Sequence, residues 1–348
     1  MGRLCTLALL FVLILFPWIA KAQKGSRNPA SAVSLPSSPA EFLAFAAKVN
    51  GLASDNIAPW HVKATFELLD DNGKVTESGI YEAFWKSDSK YKVSYQSPNY
   101  SRTIWANDSG SFATTDLKWP GEIEWMIRRS LFDLIPEPSN FEYLDLHWRQ
   151  AAIGITVNCI DAIATYSNRR PHSVPPSYCF EIGTPVIRYG SEVRQLYQGA
   201  FSNIASFGSA YVAKDVQLMR QGKPRFRLHL VTLEPFLAVE DELFAPAATA
   251  VPVSRRVIID SDLRNMHATK KVGIPRAKFD ALKSPLTQEV IVQVLVNKKG
   301  KVVDVRPLQA DQFSQFLGMS AARLWEFKPY LVQGQPTEFY TELEFSAN

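Results

Sequence analysis

The sequence predicts an α+β chain: one large, strongly curved antiparallel sheet with one or two helices, followed by a small ββαβ unit. Three observations carry this reading. From residue 59 onward, apolar and polar residues alternate over long stretches separated by turn residues. Two segments, residues 41–49 and 120–135, instead repeat their apolar residues at helical spacing. Near the carboxy terminus an unbroken apolar run, Val290–Val296, precedes a hairpin turn, a helical stripe and a last alternating stretch.

Composition sets outer limits. Of 348 residues, 46% are hydrophobic and 21% charged, which excludes a disordered, collagen-like or polytopic membrane chain. Lys and Arg total 38 against 34 Asp and Glu, a net charge of +4. That balance lacks the concentrated basic stripe of a nucleic-acid binder. Arg3, the apolar residues 4–15, Pro17 and the Ala20-Lys21-Ala22 end read as a secretory signal peptide over residues 1–22, cut after Ala22. The apolar stretch is shorter than the ~20 residues a spanning helix needs; retention as an inner-membrane anchor is the alternative. Cleavage removes Arg3, Lys21 and Cys5 and leaves +2 with two cysteines, Cys159 and Cys179. Two cysteines in an exported chain read as one disulfide. A redox or metal pair is the alternative, but no CxxC spacing or His/Cys cluster accompanies them.

Residues 23–40 are rich in Ser, Pro, Ala and Gly and read as a flexible lead-in. Phe42, Phe45, Ala46 and Val49 then mark a short helix, which Asn50-Gly51 ends because both residues tolerate positive φ. Trp60, Val62, Ala64, Phe66 and Leu68 share one face of a first strand, with His61, Lys63, Thr65 and Glu67 on the other. Asp71-Asn72-Gly73 is a hairpin turn. Strands follow to about residue 86, over 91–96, 102–106 and 111–115. A helix over 120–135 opens with Pro120, Glu122 and Glu124. It carries the stripe Ile123, Ile127, Leu131 and Leu134, and Pro136 and Pro138 stop it. Strand patterns resume over 141–148, 153–160, 178–182, 185–189, 195–204, 210–218 and 226–233, with Cys159 and Cys179 on two neighbours.

This order of helix, meander, inserted helix and meander over residues 41–246, closing on the EDELFAP segment at 240–246, resembles the LolA/LolB-like lipoprotein-localisation half-barrels. The resemblance implies a periplasmic setting in a Gram-negative envelope. It also implies a concave face that holds acyl chains in an aromatic-lined cavity. Trp60, Phe66, Phe84, Trp85, Trp105 and Trp148 are the candidate lining residues. The competing reading of each is ordinary core between sheet and helix.

Residues 247–253 form a linker by composition. The last unit, 254–348, is basic: from residue 253 onward there are 14 Lys and Arg against 10 Asp and Glu. Pro275 and Ala277 precede the Val290–Val296 run, which reads as a strand buried on both faces or at a sheet centre. Asn297 to Lys301, with Gly300, form a hairpin turn, and the return strand covers 302–305. Phe313, Phe316, Leu317, Ser320, Ala321 and Leu324 share one helical face. Pro329 ends that segment. Gly334 and Pro336 turn the chain into a last strand over 338–345. The set Pro275, Ala277, Gly300, Ala321, Trp325, Phe327, Pro329, Gly334 and Pro336 resembles the TonB carboxy-terminal domain. Thr287 and a short segment before the helix depart from that family's pattern. The resemblance implies docking to an envelope or outer-membrane protein by strand addition. Glu338, Phe339, Tyr340, Thr341, Glu342 and Leu343 would then form the edge. No Pro-rich spacer is evident, so energy transduction is not implied.

No catalytic constellation emerges. The five His residues show no HxxxH, HExxH or HxH spacing, and no GxSxG, SxxK or Walker motif occurs. Asp70-Asp71 belongs to a turn. The expectation is a non-catalytic exported envelope protein without cofactor or metal, binding an envelope protein through its last unit. The alternative is a periplasmic carrier of a hydrophobic or acylated ligand, a lipid or a lipoprotein acyl chain, in the half-barrel cavity.

Overall fold

The structure is a computed structural model and describes residues 35–53, 57–119, 121–135, 144–164, 176–191, 197–220, 222–236, 241–254, 256–259, 268–274, 290–309, 312–332 and 334–345. The expected signal peptide, the lead-in to residue 34, Pro120, Pro136, Pro138, Pro275 and Ala277 lie outside these residues.

Helix α1, Pro39–Val49, starts where the Ser38 hydroxyl accepts from the Glu41 amide and Pro39 fills the first turn. It buries Phe42, Leu43 and Ala46. Asn50 ends it differently from expectation. Its backbone is extended, and its side chain donates to the Ala46 and Pro185 carbonyls at 2.8 Å and accepts from the Ile187 amide at 3.1 Å. Gly51 alone takes the positive φ, +84°, where a Cβ would fall 2.7 Å from the Leu131 carbonyl.

The first five strands are β1 Trp60–Leu69, β2 Val75–Ser87, β3 Lys90–Gln96, β4 Ser101–Asn107 and β5 Gly110–Ala113. Helix α2, Glu122–Leu131, interrupts the meander. Strands β6 Leu144–Ala152, β7 Thr156–Ala164, β8 Ser177–Glu181, β9 Ile187–Ser191, β10 Tyr197–Phe207, β11 Ala210–Arg220 and β12 Lys223–Pro235 follow. With β13, Val251–Pro252, they form one open antiparallel sheet in the order β13-β5-β4-β3-β2-β1-β12-β11-β10-β9-β8-β7-β6. Two meanders are thus joined by the β1–β12 pair, in which Phe66 faces Leu228. The large curved sheet and its helices are as the sequence patterning predicts. The inner face carries Val62, Ala64, Phe66, Tyr81, Ile160, Phe180, Phe226 and Leu228, packed with Phe42 and Leu43 of α1 and Met126, Ile127 and Leu131 of α2. Each fully buried large side chain here contributes roughly 1.5–3 kcal/mol.

Cys159 and Cys179 face each other across the β7–β8 pair and form a disulfide. They sit with Val157 in a small cluster apart from the main core, on the opposite face of β7 from Ile160.

The segment expected as a free linker is built into the fold. Val251 and Pro252 pair with Ala113 and Phe112 of β5 as the sheet's edge strand. The chain then enters a second sheet as β14, Arg256–Ile258. After β15, Ala268–Lys270, come β16 Val290–Val296, β17 Val302–Gln309, helix α3 Gln312–Ala322, β18 Glu326–Phe327, β19 Tyr330–Val332 and β20 Gln335–Phe345. The second sheet runs β14-β20-β16-β17, with β19 paired to β20.

The first half of the expected docking edge, Glu338 to Tyr340, is covered by another strand. Strand β14 lies parallel along Glu338, Phe339 and Tyr340, while β16 pairs antiparallel with Phe339 to Phe345 on the other side. Thr341, Glu342 and Leu343 are buried. The physical reason is that the chain leaving the first sheet supplies the missing neighbour, as edges are generally covered.

All seven residues of β16 are buried. Val290, Val292, Val294 and Val296 meet α3, and Leu295 on the other face packs with Tyr340, Trp125 of α2 and Trp119. The expected stripe of α3 is rotated. Ser314, Leu317, Gly318, Ala321 and Ala322 are its buried residues. Phe313, Phe316 and Leu324 are exposed. Gly318 sets this rotation: a Cβ there would fall 2.4 Å from Val290 Cγ1, so the helix seats itself on its smallest residue.

The remaining signature residues form this unit's frame. Trp325 Nε1 donates to the Val272 carbonyl at 2.8 Å, and Phe327 stacks edge-on against Phe339. Gly300, at φ +79°, sits where a Cβ would meet the Phe327 carbonyl. Pro329 lies between β18 and β19, Gly334 takes φ +77°, and Pro336 pairs with Leu331.

Candidate ligand cavity

The concave face of β1–β5 is not filled by α2. A cavity of about 370 Å³ lies between them, within the range of small-molecule sites. Strand alternation builds its walls. Trp60 on β1, Tyr81 and Trp85 on β2, Tyr91, Val93 and Tyr95 on β3, and Arg102 and Ile104 on β4 all point inward. Helix α2 adds Glu124, Ile127 and Arg128, and Phe132 follows it. Trp60 and Trp85 stack at 5.8 Å with their planes 12° apart.

Cross-strand register sets this wall out in rows, with Val62, Ala83, Val93 and Ile104 between two outer ones. Trp60, Trp85 and Tyr91 lie in one. Ala64, Tyr81, Tyr95 and Arg102 lie in the other. The rows are four residues apart on β1, about 13 Å along the strand. The first row is apolar. The second is a polar corner. Arg102 Nη1 donates to both Glu124 carboxylate oxygens, at 2.7 and 3.0 Å, and the Tyr100 hydroxyl donates to the same carboxylate. Both partners of this ion pair are about nine-tenths buried. Burial pushes the Arg102 guanidinium down, but the Glu124 charge outweighs it and holds the group above its ordinary value. Burial pushes the Tyr81 and Tyr95 phenols up, so both stay protonated at neutral pH.

The second sheet roofs the cavity. Val253, Ser254, Arg256 and Val257, on the strap between the sheets, line its mouth together with Tyr340 of β20. Arg256 holds the strap: Nη1 donates to the Leu117 carbonyl and Nε to Glu338, both at 3.0 Å. The Tyr340 hydroxyl donates to the Lys118 carbonyl. Trp119 Nε1 and Lys118 Nζ both reach Asp304 at 2.9 Å. Arg306 lies 4.9 Å from the Trp119 ring centre. The last unit is therefore docked on the approach to α2.

Among the six aromatic residues expected in the lining, Trp60 and Trp85 are in this cavity. Phe66 is core, stacked on Phe226 at 6.0 Å. Phe84 is on the opposite face of β2, stacked on His61 at 4.2 Å and beside Phe236. Trp105 is buried on the opposite face of β4 from Arg102 and Ile104. Trp148 is 40% exposed on edge strand β6 and packs against Phe42 of α1. One-residue parity is the cause for Phe84 and Trp105: their neighbours Trp85 and Ile104 take the inward positions. Sequence reasoning missed Tyr81, Tyr95, Arg102, Glu124, Arg256 and Tyr340. The available signal was Arg102, a charge in phase with the inward Ile104.

Among the described residues no group of three or more His, Cys, Asp or Glu could hold a metal ion. His61 sits between Glu82 and Glu234, at 3.0 and 2.8 Å, outside the cavity. No helix among them is long and apolar enough to cross a membrane.

No protein-family model and no curated protein matches the chain. Solved structures resemble part of it. A LolA-superfamily protein from Nitrosomonas europaea is 7% identical, with a TM-score of 0.38, covering 61% of this chain and 99% of its own. A putative outer-membrane lipoprotein-sorting domain from Vibrio parahaemolyticus is 10% identical, with a TM-score of 0.35, covering 55% and 90%. A DUF1329 family protein from Desulfovibrio piger is 10% identical, with a TM-score of 0.38, covering 60% and 95%. Their names include the half-barrel family that the first unit resembles and do not include the TonB family. At such scores they carry no argument about function, which rests on the cavity itself.

Proposed function

We propose that this protein is a non-catalytic periplasmic carrier that holds a hydrophobic, acyl-chain ligand in the cavity between β1–β5 and α2. One observation carries the reading: an aromatic-walled space of about 370 Å³ persists where a sheet and a helix would otherwise close on each other. Trp85, Val93, Ile104 and Phe132 are the partly exposed apolar residues of its wall, and they favour an apolar chain over a compact polar metabolite. The signal-like segment supports the periplasmic setting. Capture of a protein by strand addition at residues 338–343 loses its basis, because those residues are paired on both sides at Phe339 and Tyr340 and are largely buried.

Native mass spectrometry of protein isolated from its own envelope is the test. A co-purifying acyl lipid or acylated peptide is expected with the natural sequence and is expected to be lost in Ile104→Trp, which fills the cavity. Recovery of the same adduct with a filled cavity would remove the reading.

A further inference from the structure

The sheet edges of this protein are not protected alike. Strand β13 is two residues long and ends on Pro252, and β17 carries Pro307 and two register shifts. Short strands, prolines and bulges are common ways of blocking an edge. Strand β6, Leu144–Ala152, closes the other end of the large sheet and has none of them. It pairs with β7 along its whole length without a register shift, and among the described residues no strand lies on its far side. Asp145, His147, Trp148, Arg149 and Gln150 are all exposed.

The ladder decides which backbone groups face outward. The Ala162 amide donates to the Pro176 carbonyl, so the even-numbered residues of β7 bond to β8 and the odd-numbered ones to β6. Asp145, His147 and Arg149 are the partners of those odd residues. The N–H and C=O groups of Leu146, Trp148 and Gln150 therefore point away from the sheet, toward a missing neighbour. Side chains alternate as well. Leu146 and Trp148 lie on the concave face, where Trp148 packs on Phe42 yet stays 40% exposed. Asp145, His147 and Arg149 lie on the convex face. Arg149 gives Nε and Nη2 to Asp161 and makes no hydrogen bond through Nη1. Asp145 has no ion-pair partner among the described residues.

This pattern is its own complement. When two β6 strands run antiparallel, their outward-facing even residues bond to one another, and odd residues face odd ones. Centred on His147, the register sets Asp145 opposite Arg149 of the second copy and Leu146 opposite its Trp148, and symmetry repeats both pairs. Centred on Trp148, it sets His147 against Arg149 and leaves Asp145 on Ala151. Centred on Leu146, it pairs Asp145 with His147 and leaves Arg149 unmatched. Centred on Arg149, it opposes two like charges. We propose that two copies of this chain join through β6, antiparallel and centred on His147, so that the large sheet continues across a two-fold axis. The contact is independent of the carrier reading, because β6 contributes nothing to the cavity wall.

The test uses the exported chain from Gln23 onward, which lacks Cys5. Sedimentation velocity is expected to show a shift from monomer to dimer as concentration rises to about 100 μM. Asp145→Arg sets like charges opposite each other at two places and is expected to weaken the dimer about tenfold or more. His147→Cys puts one thiol opposite its copy in a non-hydrogen-bonded pair, about 4.5 Å between Cα atoms, and mild oxidation is expected to give a disulfide-linked dimer. Val231→Cys, 56% exposed on β12, is the background and is expected to stay unlinked. The oxidation experiment needs no other variant, so misfolding of Asp145→Arg leaves the inference testable. A chain that stays monomeric, a dimer indifferent to Asp145→Arg, or linkage at His147→Cys no greater than at Val231→Cys would overturn it.

Discussion

The two sheets of this protein solve the same problem in opposite ways. The small sheet covers both faces of its central strand: α3 lies on one and Trp119 and Trp125 on the other, so that every residue of β16 is buried. The large sheet covers only part of its concave face. Helices α1 and α2 fill the region over β7–β12, while the region over β1–β5 retains a cavity. A face that could have been closed by larger side chains was left open, while the central strand of the other sheet was closed completely. The difference separates the ligand-holding part of the molecule from the part that roofs it.

Matched truncations in the two sheets test this contrast most strongly. Leu343 is fully buried in the small sheet, so Leu343→Ala is expected to cost about 2–5 kcal/mol in urea denaturation. Ile104 lines the cavity and already lacks neighbours on one side. Ile104→Ala is expected to cost about 1 kcal/mol or less, since a wall atom facing a void has fewer packing contacts to lose. Equal losses would mean that the cavity wall is packed as tightly as the small sheet and would break the comparison.

The disulfide offers a second test of the division, with a somewhat smaller effect. Cys159 and Cys179 close a loop of 20 residues on the face of β7 and β8 away from the core. Replacing both with Ser is expected to lower stability by roughly 3 kcal/mol and to leave ligand affinity unchanged. A coupled loss of affinity would show that the β6–β9 end of the sheet sets the cavity's shape.

The sequence made the fold more legible than the site. Alternation along β1 placed Trp60, Val62, Ala64 and Phe66 correctly on the inner face, because each lies in a strand with an unbroken two-residue period. The β16 run read as buried on both faces or at a sheet centre, and it is buried throughout between β20 and β17. What failed was composition without phase. Trp105 and Phe84 have the chemistry of lining residues but the wrong parity. Leu324 and Phe316 have the right spacing for a core stripe, yet Gly318 seats the helix one position away. Arg102 and Glu124 come from different elements and acquire meaning only when α2 crosses β4, a contact no local pattern encodes. The β14 pairing is of the same kind: three residues after an apparent linker carry too little pattern to announce a strand.

The convex face of β11 and β12 supplies the smallest test, because it is solvated and lies away from the cavity. His229 Nδ1 is 2.6 Å from Asp215 Oδ1 on neighbouring strands. That hydrogen bond, with smaller help from Asn203 and the charges of His229 and Lys214, outweighs partial burial and holds the Asp215 carboxyl below its ordinary value. A carboxyl depressed in the folded state adds stability that is fully present above its unfolded pKa, about 3.9, and is lost as the pH falls through the lower folded value. Both side chains are roughly half exposed, so solvent screening limits the effect to a few tenths of a kcal/mol. Asp215→Asn is therefore expected to flatten slightly the fall in urea midpoint below pH 4 and to leave ligand affinity at pH 8 unchanged. A loss of affinity in this variant would mean that the pair governs the curvature of β11 and β12, so that the closed and open parts of the molecule are coupled through the sheet itself.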